Sequence, residues 1–166
     1  MLDLAAFMAA LGAKQRLIGI DVGTKTLGLA LSDVERRIAS GLETIRRRKF
    51  TIDVAALLAH VEAHGVGGFV IGMPFNLDGS EGPRAQSTRA FARNLEKLTP
   101  VPMLFWDERL STQAAERTLL ENDTTRKRRA EVIDKMAATI ILQTALDRMR
   151  NAGIAEAGAL EAGGGE

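Results

Sequence analysis

LIGIDVGTKTLGLAL, Leu17–Leu31, is two apolar runs separated by a short polar turn. Leu17–Val22 is the length and composition of a buried strand. Gly23, Thr24, Lys25 and Thr26 supply turn chemistry, and Leu27–Leu31 reads as a second strand folded back on the first. A third strand over Ile38–Ile45 would complete an antiparallel meander. Alternation places Leu17, Gly19 and Asp21 on one face of the first strand and Ile18, Ile20 and Val22 on the other. An aspartate that ends such a strand is expensive to ionise unless something offsets its charge.

Beyond the meander the pattern changes. Val54, Leu57, Leu58 and Val61 recur at helical spacing, and Gly65, Gly67 and Gly68 are expected to end that helix. Phe69–Met73 reads as a buried strand stopped by Pro74, followed by the turn-rich loop PFNLDGSEGP. Thr88, Phe91, Leu95 and Leu98 mark another helix, and Val101–Glu108 another strand. Ser111 suits the N-cap of a helix carrying Ala115, Leu119 and Leu120. A basic loop over Asn122–Arg129 would lead into a last helix with Ile133, Ala137, Ile140, Ile141 and Thr144. Strands first, then alternating helix and strand, imply an α/β mixed sheet: three antiparallel strands, then parallel ones, with helices on both faces. Upstream, MLDLAAFMAALGAKQR reads as a short amphipathic helix and a poor signal peptide. The chain thus divides into a helical extension (1–16), one domain (17–150) and a Gly/Ala-rich tail (151–166), expected to be frayed.

Composition narrows the chemistry. The chain of 166 residues suits one domain. It has no cysteine and two histidines, which excludes disulfides, zinc–thiolate sites and cysteine nucleophiles and fits a reducing compartment. No apolar run approaches the roughly 18 residues that span a bilayer. Net charge is only +1, but basic residues cluster at Arg46–Lys49 and at Arg126–Arg129, patterns that meet phosphate or simply form a solvated face. No GxxxxGK[ST] run is present, which excludes a P-loop NTPase.

Three acids stand out. Asp21 ends one apolar strand and Glu108 another, behind Leu104 and Trp106, at the sheet end where α/β folds gather ligands. Asp134 begins the last helix, bordered by Ala137, Ala138 and Ile141, small enough to let that helix approach the sheet. Each has a plainer reading: a strand-end turn for Asp21, an ion pair with Arg109 or a lysine for Glu108, a helix-dipole acid for Asp134. Three carboxylates meeting at one place would repel. Divalent cations relieve that repulsion, and oxygen-only ligands suit Mg²⁺ or Mn²⁺. Two such ions about 4 Å apart can drive phosphodiester hydrolysis.

IGIDVGTKTLGLALSD, VIGMPFNLDGSEGP, DERLSTQAAE and IDKMAATIILQ occur here in the order and form of the YqgF/RuvX family, a resemblance covering Leu17–Arg150. It implies a ribonuclease-H-like fold related to the resolvase RuvC. It also implies a cytoplasmic bacterial nuclease that matures the 5′ end of precursor 16S ribosomal RNA or, by an older assignment, a Holliday-junction resolvase. Position by position, the family's acids fall on Asp21, Glu108 and Asp134, all present.

The neighbouring residues suggest a nucleic-acid face. Lys25 at the hairpin tip suits a phosphate contact. Asn76, Gly79 and Ser80 in the PFNLDGSEGP loop would offer backbone N–H groups, and Arg84 follows that loop. Arg109 would orient Glu108 or hold the scissile phosphate. Arg126, Lys127 and Arg128 would grip the backbone. Aromatic content of 4% makes base stacking a minor mode. The resemblance thus implies RNA or branched DNA as the partner, with no membrane, and the protein is expected to be a monomer or homodimer. Two rivals remain: an actin-like ATPase or sugar kinase, whose phosphate hairpin DVGTKT resembles but whose second domain this length does not accommodate, and a non-catalytic nucleic-acid-binding module, against which the three acids argue.

Overall fold

The computed structural model describes residues 2–110 and 126–163, the side chains of 110, 126–134 and 154–163 excepted. The helix expected from Ser111 lies outside the described residues. The chain begins with α1 (Leu4–Ala10), capped by the Asp3 side chain, which accepts from the Ala6 N–H. Strands β1 (Arg16–Val22), β2 (Thr26–Ser32) and β3 (Ala39–Arg46) follow as the expected meander. Next come α2 (Phe50–His64), β4 (Val66–Met73), α3 (Pro83–Glu96) and β5 (Met103–Asp107). A 3₁₀ turn, Glu108–Leu110, leads on, and α4 (Arg126–Gly163) is the last described element.

The sheet order is β3-β2-β1-β4-β5. The first three strands are antiparallel, while β4 runs parallel to both β1 and β5. This is the mixed sheet anticipated from the order of elements, and it has the arrangement that the family resemblance implied. Strand β4 is buried along its whole length, as expected for a strand covered on both faces.

Two apolar clusters lie on opposite faces. Ile18, Ile20, Leu29, Phe69 and Ile71 pack against Val54 and Leu57 of α2 and Phe91 and Leu95 of α3. Leu17, Ala30, Val70 and Leu104 pack against Phe7 of α1 and Ala138, Ile141, Leu142, Ala145, Leu146 and Met149 of α4. Each fully buried Leu or Ile contributes about 1.5–3 kcal/mol over its exposed state. Alternation in β1 is therefore realised, and Asp21 belongs to the α4 face.

Helix α4 crosses the sheet obliquely. Lys135 passes Gly41 of β3, Ala138 and Leu142 pass Gly19 of β1, and Ile141 passes Gly72 of β4. At β5 the Trp106 indole N–H donates to Thr144 Oγ1 at 2.9 Å. A Cβ at position 19 would fall 2.7 Å from Leu142 Cβ and 2.9 Å from the Ala138 carbonyl oxygen. Glycine there is what lets helix and sheet touch.

Three expectations are corrected. Gly65 alone ends α2, with φ +62, whereas Gly67 and Gly68 lie inside β4. They are small because Gln15 and Phe7 press on them. Strand β5 is shorter than expected at both ends: Pro102 cannot donate to the ladder, which delays its start, and the 3₁₀ turn begins at Glu108, which stands one residue past the strand. Arg126–Arg129 begin α4 instead of forming a loop, which fits the good helix propensity of Arg and Lys. The backbone beyond Arg150 continues α4 to Gly163.

Candidate active site

Asp21 is 8% exposed near the carboxyl end of β1. Its register partner on β2 is Gly28, and the pairing Ile20↔Ile71 sets Gly72 of β4 level with it on the other side. Glycines on both neighbouring strands leave space above the sheet where carboxylates can gather. Glu108, on the turn after β5, fills that space. Its Oε1 lies 2.5 Å from where a Cβ on Gly72 would stand, with Ile141 of α4 beside it.

The two carboxyl groups hydrogen-bond to each other. Burial, first, and then the charge of Asp21 push Glu108 up to about 8, with the Arg84 guanidinium opposing the shift. Near neutrality the pair therefore holds a proton between two groups that would ordinarily both be ionised. It behaves as one coupled unit, like any two acids sharing a site.

Around the pair lie several of the expected residues. Arg84 is exposed on the first turn of α3. Lys25 is exposed at the β1–β2 turn. The PFNLDGSEGP loop is tied to itself. Asn76 N–H donates to the Ser80 carbonyl, Gly79 N–H to the Asn76 carbonyl, and Asn76 Nδ2 to Ser80 Oγ. Asp78 accepts from the Ser80 N–H and hydroxyl, which holds its carboxyl below the usual range. Gly79 sits at φ +85, a left-handed conformation that glycine adopts without strain.

Arg109 takes a different partner from either role expected of it. Its guanidinium pairs with Asp107, at 2.6–3.1 Å, and stacks over the Phe75 ring at 5.7 Å. It thus locks the 3₁₀ turn to the loop, and Glu108 is positioned by that turn and by Gly72. Asp107, held below the usual carboxylate range by these hydrogen bonds, went unnoticed in the sequence. Its signal was the i,i+2 acid–arginine spacing across a strand end. Arg47 is a second residue whose role the sequence hid inside a basic cluster. It donates from Nη1 to the Gly23 carbonyl at 2.7 Å, and its N–H to the Lys25 carbonyl at 2.8 Å.

Asp134 lies on α4 one turn before Ala138, and its side chain is outside the described residues, as are those of Arg126, Lys127 and Arg128. Among the described residues no cluster of three or more His, Asp or Glu stands ready to hold a metal. The described part of the site is the Asp21–Glu108 pair.

The RuvX family, described as Holliday junction resolvase, matches over residues 15–148. A Rhodobacter capsulatus protein provisionally named pre-16S rRNA nuclease is 61% identical over 151 residues, 91% of this chain and 93% of its own. One from Paracoccus denitrificans with the same name is 61% identical over 154 residues, 93% and 98% of the two chains. Among solved structures, T. thermophilus RuvC in complex with Holliday junction substrate aligns at TM-score 0.53 and 17% identity, covering 81% of this chain and 96% of that one. At that identity the likeness shows a shared fold.

Proposed function

Because the chain belongs to the RuvX family, we propose that it is a metal-dependent endonuclease that cuts phosphodiester bonds of structured nucleic acid, its task being 5′-end processing of precursor 16S rRNA. The domain responsible spans residues 17–150, and the proposed setting is the cytoplasm, where precursor rRNA is processed. No helix among the described residues is long and apolar enough to cross a membrane.

One observation carries the reading. A buried carboxyl group, Asp21, and a half-buried one, Glu108, hydrogen-bond at the carboxyl end of the parallel strands, and Glu108 is pushed up to about 8. A protein whose only need was stability would gain from replacing one of them. All-oxygen donors, hard and anionic, fit Mg²⁺ or Mn²⁺, and the proton held between them marks where positive charge is wanted. Asp21, Glu108 and Asp134 are the proposed ligands of two such ions. When bound, divalent cations neutralise phosphate charge and lower the pKa of water.

The chain's own residues would do the rest. Asp21 and Glu108 orient the site and keep it anionic. Arg84 and Lys25 would hold the substrate backbone, and Arg126, Lys127 and Arg128 would extend that grip along α4. The N–H groups of Asn76, Gly79 and Ser80, expected to face the substrate, donate inside their own loop, so these residues would act by shaping it. Arg109 would help by stiffening the loop, and only secondarily by direct contact.

A second reading, resolution of Holliday junctions, is favoured by the family's own description. A junction resolvase cuts two strands in register and so should act as a symmetric dimer. Competition between a precursor-rRNA fragment and a four-way DNA junction, with Mn²⁺ or Mg²⁺, separates the two. We expect the RNA to be cut by a monomer and Asp21→Asn to cut neither. Paired cuts in the junction by a dimer would favour the second reading. Equal cleavage by wild type and Asp21→Asn would reject both.

A further inference from the structure

At the same end of the sheet as the carboxyl pair, but on the α2–α3 side, the β1–β2 turn, Arg47 and the first turns of α3 line an open cavity of about 270 Å³. Val22, the residue after Asp21, forms one wall, and Pro83 another. Thr24 and Ser87 supply hydroxyls, while Arg47 and Arg84 supply the charge, with no carboxylate in the lining. Two other cavities differ on this point. The one between α1 and α4 includes Glu35, and the one between β3 and α2 includes Glu43 and Asp53.

The two arginines differ in state. Arg47 is half-buried, bonded to the Gly23 carbonyl, with its guanidinium 5.9 Å from the Phe91 ring centroid. It is already immobilised, so binding costs it little further rotamer entropy. Arg84 is exposed and has no ion pair among the described residues. Its charge is nevertheless felt at Glu108, which places the cavity's rim within electrostatic reach of the carboxyl pair. A fixed cation, a mobile cation and two hydroxyls facing one space match a tetrahedral anion with several acceptor oxygens.

We propose that this cavity is a discrete subsite for one backbone phosphate of the substrate strand, next to the bond that is cut. The inference rests on the nuclease reading and names the group that sets the strand's register relative to Asp21 and Glu108. Because it engages only phosphate, it positions without reading sequence.

The test measures binding of a fluorescent stem–loop RNA by anisotropy, with Ca²⁺ in place of Mg²⁺ so that binding is read without cleavage. Ser87→Glu puts an anion into the cavity while sparing the structural contacts of Arg47, and Ser87→Gln controls for bulk. Ser87→Glu should weaken binding roughly tenfold more than Ser87→Gln does. Arg84→Gln should lower the slope of log K against log salt by about 1. Replacing phosphates one at a time by neutral methylphosphonates should reveal one position, flanking the cut, that matters in wild type and is silent in Ser87→Glu. Equal binding by the two Ser87 variants overturns the subsite, as does a methylphosphonate pattern unchanged by Ser87→Glu. RNA bound in this pattern but never cut would refute the nuclease reading and leave the subsite standing.

Discussion

At the scale of single residues, Asp21 and Glu108 make the site a place of deliberate electrostatic strain. Burial and mutual repulsion push Glu108 up to about 8 from the ordinary 4.5. The unfolded chain releases that proton near 4.5, so between the two values the native state binds more protons than the unfolded one. Stability of metal-free protein should therefore fall as pH rises from 4.5 to about 8 and level off above. Thermal melts in EDTA across that window should show the decline in wild type and a much flatter profile in Glu108→Gln. Mg²⁺ should restore most of the stability lost at the upper end, because ligand bound to the native state stabilises it by mass action. A profile identical in wild type and Glu108→Gln would mean that the pair is not the source.

At the scale of elements, the site depends on glycines that let α4 and the 3₁₀ turn come close to the sheet. Gly19 and Gly72 predict different outcomes. A Cβ at position 19 meets Leu142 Cβ and a backbone carbonyl, neither of which can swing away. Gly19→Ala should cost about 1–3 kcal/mol in urea denaturation, as overpacking does. A Cβ at position 72 meets the far ends of Glu108 and Ile141, which can rotate. Gly72→Ala should cost less stability but move Glu108, with a larger loss in kcat than in melting temperature. The hydrogen bond from Trp106 to Thr144 ties α4 to β5. Trp106 is the one tryptophan in the chain, so intrinsic fluorescence follows that docking directly. Thr144→Val should shift the emission and cost about 1 kcal/mol.

At the scale of the whole molecule, two cores share one sheet, and the segment 1–16 belongs to one of them. Phe7 is fully buried against Leu17, Val70 and the apolar face of α4. Phe7→Ala should therefore destabilise by about 3–5 kcal/mol in denaturant titration. A change near zero would mean that α1 is an appendage. Because α1 packs far along α4 from Asp21, the surviving folded fraction should still cleave at the wild-type rate.

Much of this was legible in local pattern. Period-two alternation in LIGIDV set Asp21 on the α4 face, and the order of apolar runs gave the meander and the parallel strands beyond it. Those features follow from nearest-neighbour geometry, since strand pleat and helix pitch convert spacing directly into facing direction. Other features were decided only by packing. Arg109 turned to Asp107 and Phe75, Arg47 reached back to the Gly23 carbonyl, and Gly67 and Gly68 joined β4 beneath α1. Each of these depends on which side chain arrives first at a given acceptor or gap, and spacing along the chain does not encode that. The chain by itself determined that Asp21 lies at the end of the first strand and on which face. The tertiary structure decided how closely Asp21 and Glu108 approach, because that distance is set by the glycine gap at Gly72 and by the turn that carries Glu108 past the end of β5.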